Sequence, residues 1–436
     1  MLGDTAMGLV DTKLVAGLGA NALGGVGVAT TIMWLQYSIV FGVMRGVKVR
    51  TAHAVGEKRK QDALAYARAG LLLATMCGAT IWLLCRDASW LFSHIGIDPA
   101  TVGYARDFLA ARTWGAVSIC VISALVQYRQ GLGDSRNPMI AGLLANVVNV
   151  FLAYGLIYGH FGLPALGVRG AGYGTAIAET VEALFLLWIA FRERPERASL
   201  LGTTQAAREV ASLGVPTGVQ FGMEMLAFST FTAILGGIGA HEIAAHQVAM
   251  TIIRTSFLPG VAVSEAASVL VGRSLGERDL AKADAVTRTS IGLAAGFMTI
   301  CGVVFAVFGG LIAAQFTNDP DVTRVVRRLL LVAALFQTLD AITIVLRGAL
   351  RGAKDVRPVM IIGIGVAWVC IPGAAWFFGK HLGMGAVGGW FGFVAETTLA
   401  SSLFWFRWTR GTWRARYEQR TEEAPTSSRE PAVATA

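Results

Sequence analysis

Leu329–Leu350 reads LLLVAALFQTLDAITIVLRGAL and is an apolar run long enough to cross a bilayer, with one carboxylate, Asp340, near its middle. A charge at that depth is costly, and an Asp side chain is too short to reach the polar interface as Lys or Arg can. We therefore expect Asp340 to face the protein interior or a watery cavity, as a site for an ion or a substrate. Asp11, in MGLVDTKLVAGLG, and Glu224, in VQFGMEMLAFSTF, stand in comparable surroundings.

The composition places the whole chain in a membrane. Hydrophobic residues make up 54% of its 436 residues and charged residues only 15%, whereas a soluble domain carries about 25% charge. The net charge of +9 could point to nucleic acid, but the basic residues lie between apolar runs, so they indicate membrane orientation instead. No nucleophile elbow, phosphate-binding glycine loop or metal-ligand spacing is present, so the sequence predicts neither an enzyme nor a bound cofactor.

Five cysteines lie in or beside apolar runs without a CxxC spacing, which predicts neither a disulfide framework nor a metal site. They are Cys77, Cys85, Cys120, Cys301 and Cys370.

Twelve segments are apolar over the length of a bilayer span. They lie at roughly 1–19, 22–48, 63–84, 104–128, 138–159, 167–191, 211–236, 242–270, 286–314, 327–350, 357–378 and 385–408. We therefore predict an all-α integral membrane protein with twelve transmembrane helices in two six-helix bundles. The predicted regions are an N-terminal lobe at 1–195, a cytoplasmic linker at 196–210, a C-terminal lobe at 211–409 and a disordered cytoplasmic tail at 410–436.

The two halves of the chain repeat each other at one constant offset. The matching stretches are 18–29 with 238–249, 56–63 with 276–283, and 131–139 with 351–359. Six spans per half is an even number, so both halves enter the membrane from the same side and form a pseudo-symmetric parallel repeat. The seventh span begins near Leu213, and its counterpart would begin before Met1, so we expect the first helix to be truncated at its start.

Six short stretches resemble, in the same order, those of multidrug and toxic compound extrusion (MATE) transporters, and more closely those of the NorM-like branch. They are VDTKLVAGLGANALGGVGVA, QYRQGLGDSRNPM, GVPTGVQFGMEM, IGAHEIAAHQVAM, SVLVGRSLGE and LRGALRGAKD. The resemblance implies a secondary antiporter that exports organic cations or amphipathic drugs in exchange for Na⁺ or H⁺ while two lobes rock. It further implies a monomer in the bacterial inner membrane. Basic loops, such as those with Lys58 and Arg278, predict that both termini are cytoplasmic.

The resemblance also implies roles for individual residues. Asp11 matches the first-span acid of the N-terminal lobe, and Glu224 and Asp340 match two acids of the C-terminal lobe. We assign all three to ion coupling, with Glu224 and Asp340 as candidate Na⁺ ligands. The predicted substrate-binding residues are Asp11, Asn149, Glu224, Asp340, Gln247 and Phe228. Each acid would hold a proton, a Na⁺ ion or a cationic substrate, but only one at a time.

Further charged residues in the spans have other interpretations. Lone acids are expected to pair with Arg or Lys, and they are Glu179, Glu182, Glu265 and Glu396. We expect His246 to make an interhelical hydrogen bond rather than relay protons. Asp4 precedes Asp11 by seven residues, about 10.5 Å along one helix face, and its role stays open.

Two other functions stay open. A flippase for lipid-linked oligosaccharides of the same superfamily would line its cavity with basic groups, for which Lys13, Arg45 and Arg254 are candidates. A non-transporting membrane receptor or scaffold would show no ion-dependent flux.

Overall fold

The computed structural model describes residues 2–86, 98–192, 201–317 and 319–422, and within these residues the chain is helical and contains no strand. The helices are α1 (Leu2–Ala16), α2 (Ala20–Gly56), α3 (Lys60–Cys85), α4 (Pro99–Gly131), α5 (Arg136–Tyr158), α6 (Val168–Arg192), α7 (Thr203–Gly236), α8 (Ala240–Gly276), α9 (Leu280–Ala313), α10 (Pro320–Gly352), α11 (Val356–His381), α12 (Gly385–Arg410) and α13 (Thr412–Glu422).

The first twelve helices follow the predicted spans one by one, which confirms the all-α membrane architecture. Ten of them are long and apolar enough to cross a membrane. The other two are α1, which has 15 residues, and α12, whose 26 residues include Glu396 and Arg407. The side chain of Asp4 lies outside the described residues.

The internal repeat is visible in the helix boundaries. Helices α2 and α8 begin at Ala20 and Ala240, which correspond at the offset found in the sequence. Both end in a turn in which Lys58 and Arg278, a pair at the same offset, have left-handed backbones with φ of 58° and 62°. Two long helices therefore stop in the same way at equivalent positions.

The chain divides into two compact units, Met1–Ser229 and Thr230–Ala436, and each is described by itself. The division falls inside α7, which begins at Thr203. That helix starts within the stretch predicted as the linker, while the linker residues 196–200 lie outside the described part of the chain. The predicted limits of the two lobes stay a prediction.

Glycines bring α2 and α7 together in the first unit. Gly42 and Gly46 on α2 face Gly214 and Gly218 on α7, and a Cβ added at Gly42 would lie 2.5 Å from the Cα of Gly218. Small residues at four-residue spacing let membrane helices approach until their backbones touch. No side chain larger than hydrogen fits at these four positions.

The prediction of a disordered tail from residue 410 is wrong for 412–422, which form α13. Trp413 is fully buried, and its ring lies 4.6 Å from that of Trp408. Arg414 donates to Asp284 at 2.7 Å. A buried indole and an ion pair therefore hold this charged segment to α9 and α12. Residues 423–436 lie outside the described part of the chain.

Candidate functional sites

Helices α1, α5 and α6 bring Asp11, Asn149 and Thr175 together in the first unit. The Thr175 Oγ1 lies 2.8 Å from Oδ2 of Asp11 and 3.0 Å from the carbonyl oxygen of Ala171, so its one proton serves one of them at a time. The Asn149 Nδ2 donates to Thr175 Oγ1 at 3.2 Å. We call Asp11, Asn149 and Thr175 the Asp11 cluster. Two of its members were predicted from the sequence, and Thr175 was missed.

Two oxygen atoms of the Asp11 cluster have no partner among the residues that the structure describes. They are Oδ1 of Asp11 and Oδ1 of Asn149, and both are buried. A buried acceptor without a hydrogen bond is costly. A carboxylate, an amide carbonyl and a hydroxyl are also the ligand types that hard cations prefer. The cluster is therefore suited to a proton or to a cation such as Na⁺.

A buried ion pair lies beside the Asp11 cluster. Arg112 on α4 donates to Glu179 on α6 with both terminal nitrogens, and the Nη1–Oε2 distance is 2.7 Å. Both side chains are buried, and Arg112 also acts electrostatically on Asp11. The predicted pairing of Glu179 with a basic residue is confirmed. With all three groups ionised, Asp11, Arg112 and Glu179 carry one net negative charge, which one added cation would neutralise.

Asp340 lies on α10 in the second unit. The charged groups that act on it are Glu396 of α12 and Arg347 of its own helix. The Arg347 Nη2 lies 3.7 Å from Oε1 of Glu396, and both side chains are largely shielded from solvent. The predicted pairing of Glu396 is therefore confirmed. Fully ionised, this group of three also carries one net negative charge.

Glu224 lies on α7 within the first unit, whereas Asp340 belongs to the second. Gln220, one turn earlier, donates its Nε2 to Oε1 of Glu224 at 2.9 Å. Phe228, one turn later, is half-buried. The joint action of Glu224 and Asp340 on one ion stays a prediction.

His246 on α8 is buried, and its Nδ1 accepts a hydrogen bond from the Trp390 indole of α12 at 3.2 Å. The ring of Phe231 packs against it at 5.2 Å. The predicted interhelical bond of His246 is thus confirmed. The next residue, Gln247, is exposed, and its role in substrate binding stays a prediction.

The basic residues singled out in the first spans have distinct surroundings. Lys13 is exposed beside Tyr154 and Tyr158, at an open cavity of about 420 Å³. The guanidinium of Arg45 lies 4.6 Å above the Phe221 ring, a cation–π contact.

In the described part of the chain, no three His, Cys, Asp or Glu side chains gather as a metal site.

Comparison with known proteins identifies relatives along nearly the whole chain. A family model described as MatE matches residues 1–155 and 216–376. Multidrug resistance protein MdtK of Yersinia pseudotuberculosis is 29% identical over 419 residues, covering 93% of this chain and 91% of that protein. The probable multidrug resistance protein NorM of Thermotoga maritima is 28% identical over 417 residues, covering 94% of this chain and 89% of that protein.

Solved structures share the fold. A transporter of the MOP superfamily from Pyrococcus furiosus superposes with a TM-score of 0.85 at 22% identity, covering 97% of this chain and 93% of its own. The eukaryotic MATE transporter AtDTX14 superposes with a TM-score of 0.85 at 17% identity, covering 96% of this chain and 94% of its own. At these identities the superpositions establish a common helical architecture.

Proposed function

The chain belongs to the MatE family, and on that premise we propose that it is a secondary antiporter exporting organic cations or amphipathic drugs in exchange for inward Na⁺ or H⁺. The names of its relatives, multidrug resistance proteins, support the substrate class. The observation that carries the proposal is the Asp11 cluster, in which a carboxylate within the helices retains a buried oxygen without a hydrogen bond among the described residues.

Charge balance supports a mechanism of exchange. Asp11 with Arg112 and Glu179, and Asp340 with Arg347 and Glu396, each sum to one negative charge when ionised. A low-dielectric interior favours neutrality, so each set favours one added positive charge and disfavours a second. The coupling ion and a cationic substrate therefore compete at these acids. Arrival of the ion from outside releases the substrate.

The driving force is sufficient for export. The membrane potential supplies about 2.3 kcal/mol per elementary charge per 100 mV. Exchange of one coupling ion for a neutral amphipathic substrate moves one net charge inward, which supports a substrate gradient of about fiftyfold, since about 1.4 kcal/mol corresponds to a factor of ten. Exchange of one coupling ion for a monovalent organic cation moves no net charge, so the concentration gradient of the coupling ion drives that export. We place the protein in the bacterial inner membrane as a monomer with both termini in the cytoplasm.

The flippase alternative receives less support from the basic residues. A pyrophosphate group would need cationic donors that are available to it. Arg112 and Arg347 are already engaged by Glu179 and Glu396, and Arg45 lies over a phenylalanine ring, whereas Lys13 and Arg254 are exposed. The relatives are named multidrug resistance proteins, which favours drug export over lipid flipping. We therefore retain antiport as the proposed function.

Ethidium efflux from proteoliposomes tests the proposal under a pH gradient alone and then a Na⁺ gradient alone. We expect at least one gradient to drive efflux, and Asp11→Asn or Asp340→Asn to reduce the initial rate at least about tenfold. Asp107→Asn is the matched control, because Asp107 is an exposed acid paired with Arg169 and belongs neither to the Asp11 cluster nor to the group of Asp340, Arg347 and Glu396. Wild-type protein that transports under neither gradient would refute antiport, and full activity of Asp340→Asn would refute that assignment.

A further inference from the structure

The internal repeat places a glutamate at the same position on α6 and α12. The tripeptide Ala-Glu-Thr occurs at 178–180 on α6 and at 395–397 on α12. The two helices begin at Val168 and Gly385, so Glu179 and Glu396 lie equally far from the starts of their helices. The offset between the two glutamates is three residues shorter than that of the three matching stretches, so their correspondence rests on their equal distance from the helix starts. Each glutamate is ion-paired within its own unit.

Their arginine partners are not equivalent. Arg112 lies in the first half of α4, whereas Arg347 lies close to the end of α10. Arg112 holds Glu179 through two hydrogen bonds, one of them 2.7 Å long. The 3.7 Å separation between Arg347 and Glu396 is longer than a hydrogen bond. The Arg112–Glu179 pair is therefore hydrogen-bonded at short distance, whereas the Arg347–Glu396 pair has a longer charge–charge separation.

Arg347 interacts with Glu396 of α12 and acts electrostatically on Asp340 of its own helix. It follows Asp340 by seven residues on α10, which puts both on one helix face about 10.5 Å apart along the axis. Helical side chains lean toward the N-terminus of their helix, so an Arg347 rotamer directed along its own helix would approach Asp340. In the structure the guanidinium lies over the Phe404 ring, 5.5 Å from its centroid. Glu396 and Arg347 both act electrostatically on Asp340, and Glu396 acts on Cys370 of α11. One guanidinium therefore serves two acids.

We propose that Arg347 is a resident counter-cation that exchanges partners, pairing with Glu396 while a Na⁺ ion or proton occupies Asp340 and turning to Asp340 when that cation leaves. This inference rests on the proposed role of Asp340 as a cation site. With the cation bound, the positive charges of the cation and Arg347 balance two carboxylates. After release, the guanidinium limits the cost of an ionised Asp340, which eases dissociation. Arg347 is thus a positioning residue that sets cation affinity.

The test uses purified full-length protein in detergent. The thermal unfolding midpoint is followed as Na⁺ is raised at fixed pH, and separately as pH is lowered without Na⁺. A cation that binds the folded state raises this midpoint, and the concentration dependence gives the affinity. Asp340→Asn should remove the part of the response that comes from this site, and Asp11→Asn, at the other candidate cation site, should leave that part in place.

The variants of the ion pair should shift this affinity in opposite directions. Glu396→Gln removes the carboxylate that competes with Asp340 for Arg347, so the half-saturating cation concentration should rise at least about tenfold. Arg347→Gln removes the guanidinium that competes with the cation for Asp340, so the half-saturating cation concentration should fall at least about tenfold. Arg347→Lys, which keeps the charge, should remain within about threefold of wild type. Glu396→Asp offers a milder version of the first change if Glu396→Gln does not fold.

A double variant distinguishes partner exchange from fixed charges. In the Arg347→Gln background there is no guanidinium that could turn to Asp340. Adding Glu396→Gln to that background should therefore change the half-saturating cation concentration by less than about threefold, instead of at least about tenfold. Equal effects of Glu396→Gln in the presence and absence of Arg347 would overturn the exchange. The matched control is Arg169→Gln, which breaks an exposed pair elsewhere and should leave the affinity unchanged.

The two proposals fail in different ways. Wild-type protein that shows no Asp340-dependent stabilisation in either titration overturns this inference, even if ethidium efflux is normal. Absence of gradient-driven efflux overturns the proposed function, even if the cation binds. Unchanged affinity in both Arg347→Gln and Glu396→Gln overturns this inference alone.

Discussion

Thr175 links the acid and the amide of the Asp11 cluster through one hydroxyl. Thr175→Val keeps the side-chain shape but removes the donor to Asp11 and the acceptor for Asn149. A hydrogen bond to a charged group contributes about 1.5–3 kcal/mol, so we expect ethidium efflux to slow roughly tenfold or more. Thr180→Val, five residues later on the same helix, should retain activity, because Thr180 bonds to Ser118 and a backbone carbonyl. Equal loss in both variants would contradict a specific role for Thr175.

Asp134, in the turn between α4 and α5, gives a prediction of pH dependence. Burial raises the pKa of Asp134, but hydrogen bonds from Asn137 and Arg129 outweigh it and hold the pKa below its usual value. A carboxyl with a lowered folded-state pKa stabilises the fold above its unfolded pKa of about 3.9, and this contribution is lost as pH falls. We expect Asp134→Asn to lower the thermal midpoint at pH 7 by an amount that stays nearly constant down to about pH 4 and shrinks only as the pH falls below that value. A difference that grows on acidification would refute this.

At the level of the helices, the close packing of α2 against α7 depends on the absence of side chains. A methyl group at Gly214 would overlap the carbonyl oxygen of Val43. Overpacking of this kind costs about 1–3 kcal/mol, so Gly214→Ala should lower the thermal unfolding midpoint. At Gly292, on α9, a Cβ would have nothing within 4 Å. Because Ala is the better helix former by about 1 kcal/mol, Gly292→Ala should be neutral or stabilising. A similar decrease of the thermal unfolding midpoint in Gly214→Ala and Gly292→Ala would contradict the role of close packing at Gly214.

The helix α13 forms in a segment whose composition predicts disorder. The segment is charged, with three arginines among 11 residues, which is typical of a solvated tail. Its docking depends on the burial of Trp413 and on the pairing of Arg414 with Asp284, 130 residues earlier in the chain. A short window of sequence contains no information about that distant partner.

For the whole molecule, the repeat and the loop charges together predict the orientation in the membrane. The exposed turns with Lys58 and Arg278 should face the cytoplasm, and Arg324 near the start of α10 should face outward. In a background without the five native cysteines, a membrane-impermeant maleimide on intact cells should label Arg324→Cys alone. After permeabilisation, Lys58→Cys and Arg278→Cys should also react. Labelling of Lys58→Cys before permeabilisation would reverse the topology.

The sequence by itself determined the helices and the repeat, since apolar length and a fixed offset are properties that local stretches carry. It also predicted Asp11 and Asn149 among six binding residues, without indicating that these two lie together. Only the tertiary structure decided the partners, because they depend on how distant helices are rotated and how deep each residue lies. Thr175 reaches Asp11 across 164 residues and Arg112 reaches Glu179 across 67. The spacing of residues within one helix does not specify contacts between distant helices. The ion pairs and the hydrogen bonds of the Thr175 hydroxyl are therefore known only from the tertiary structure.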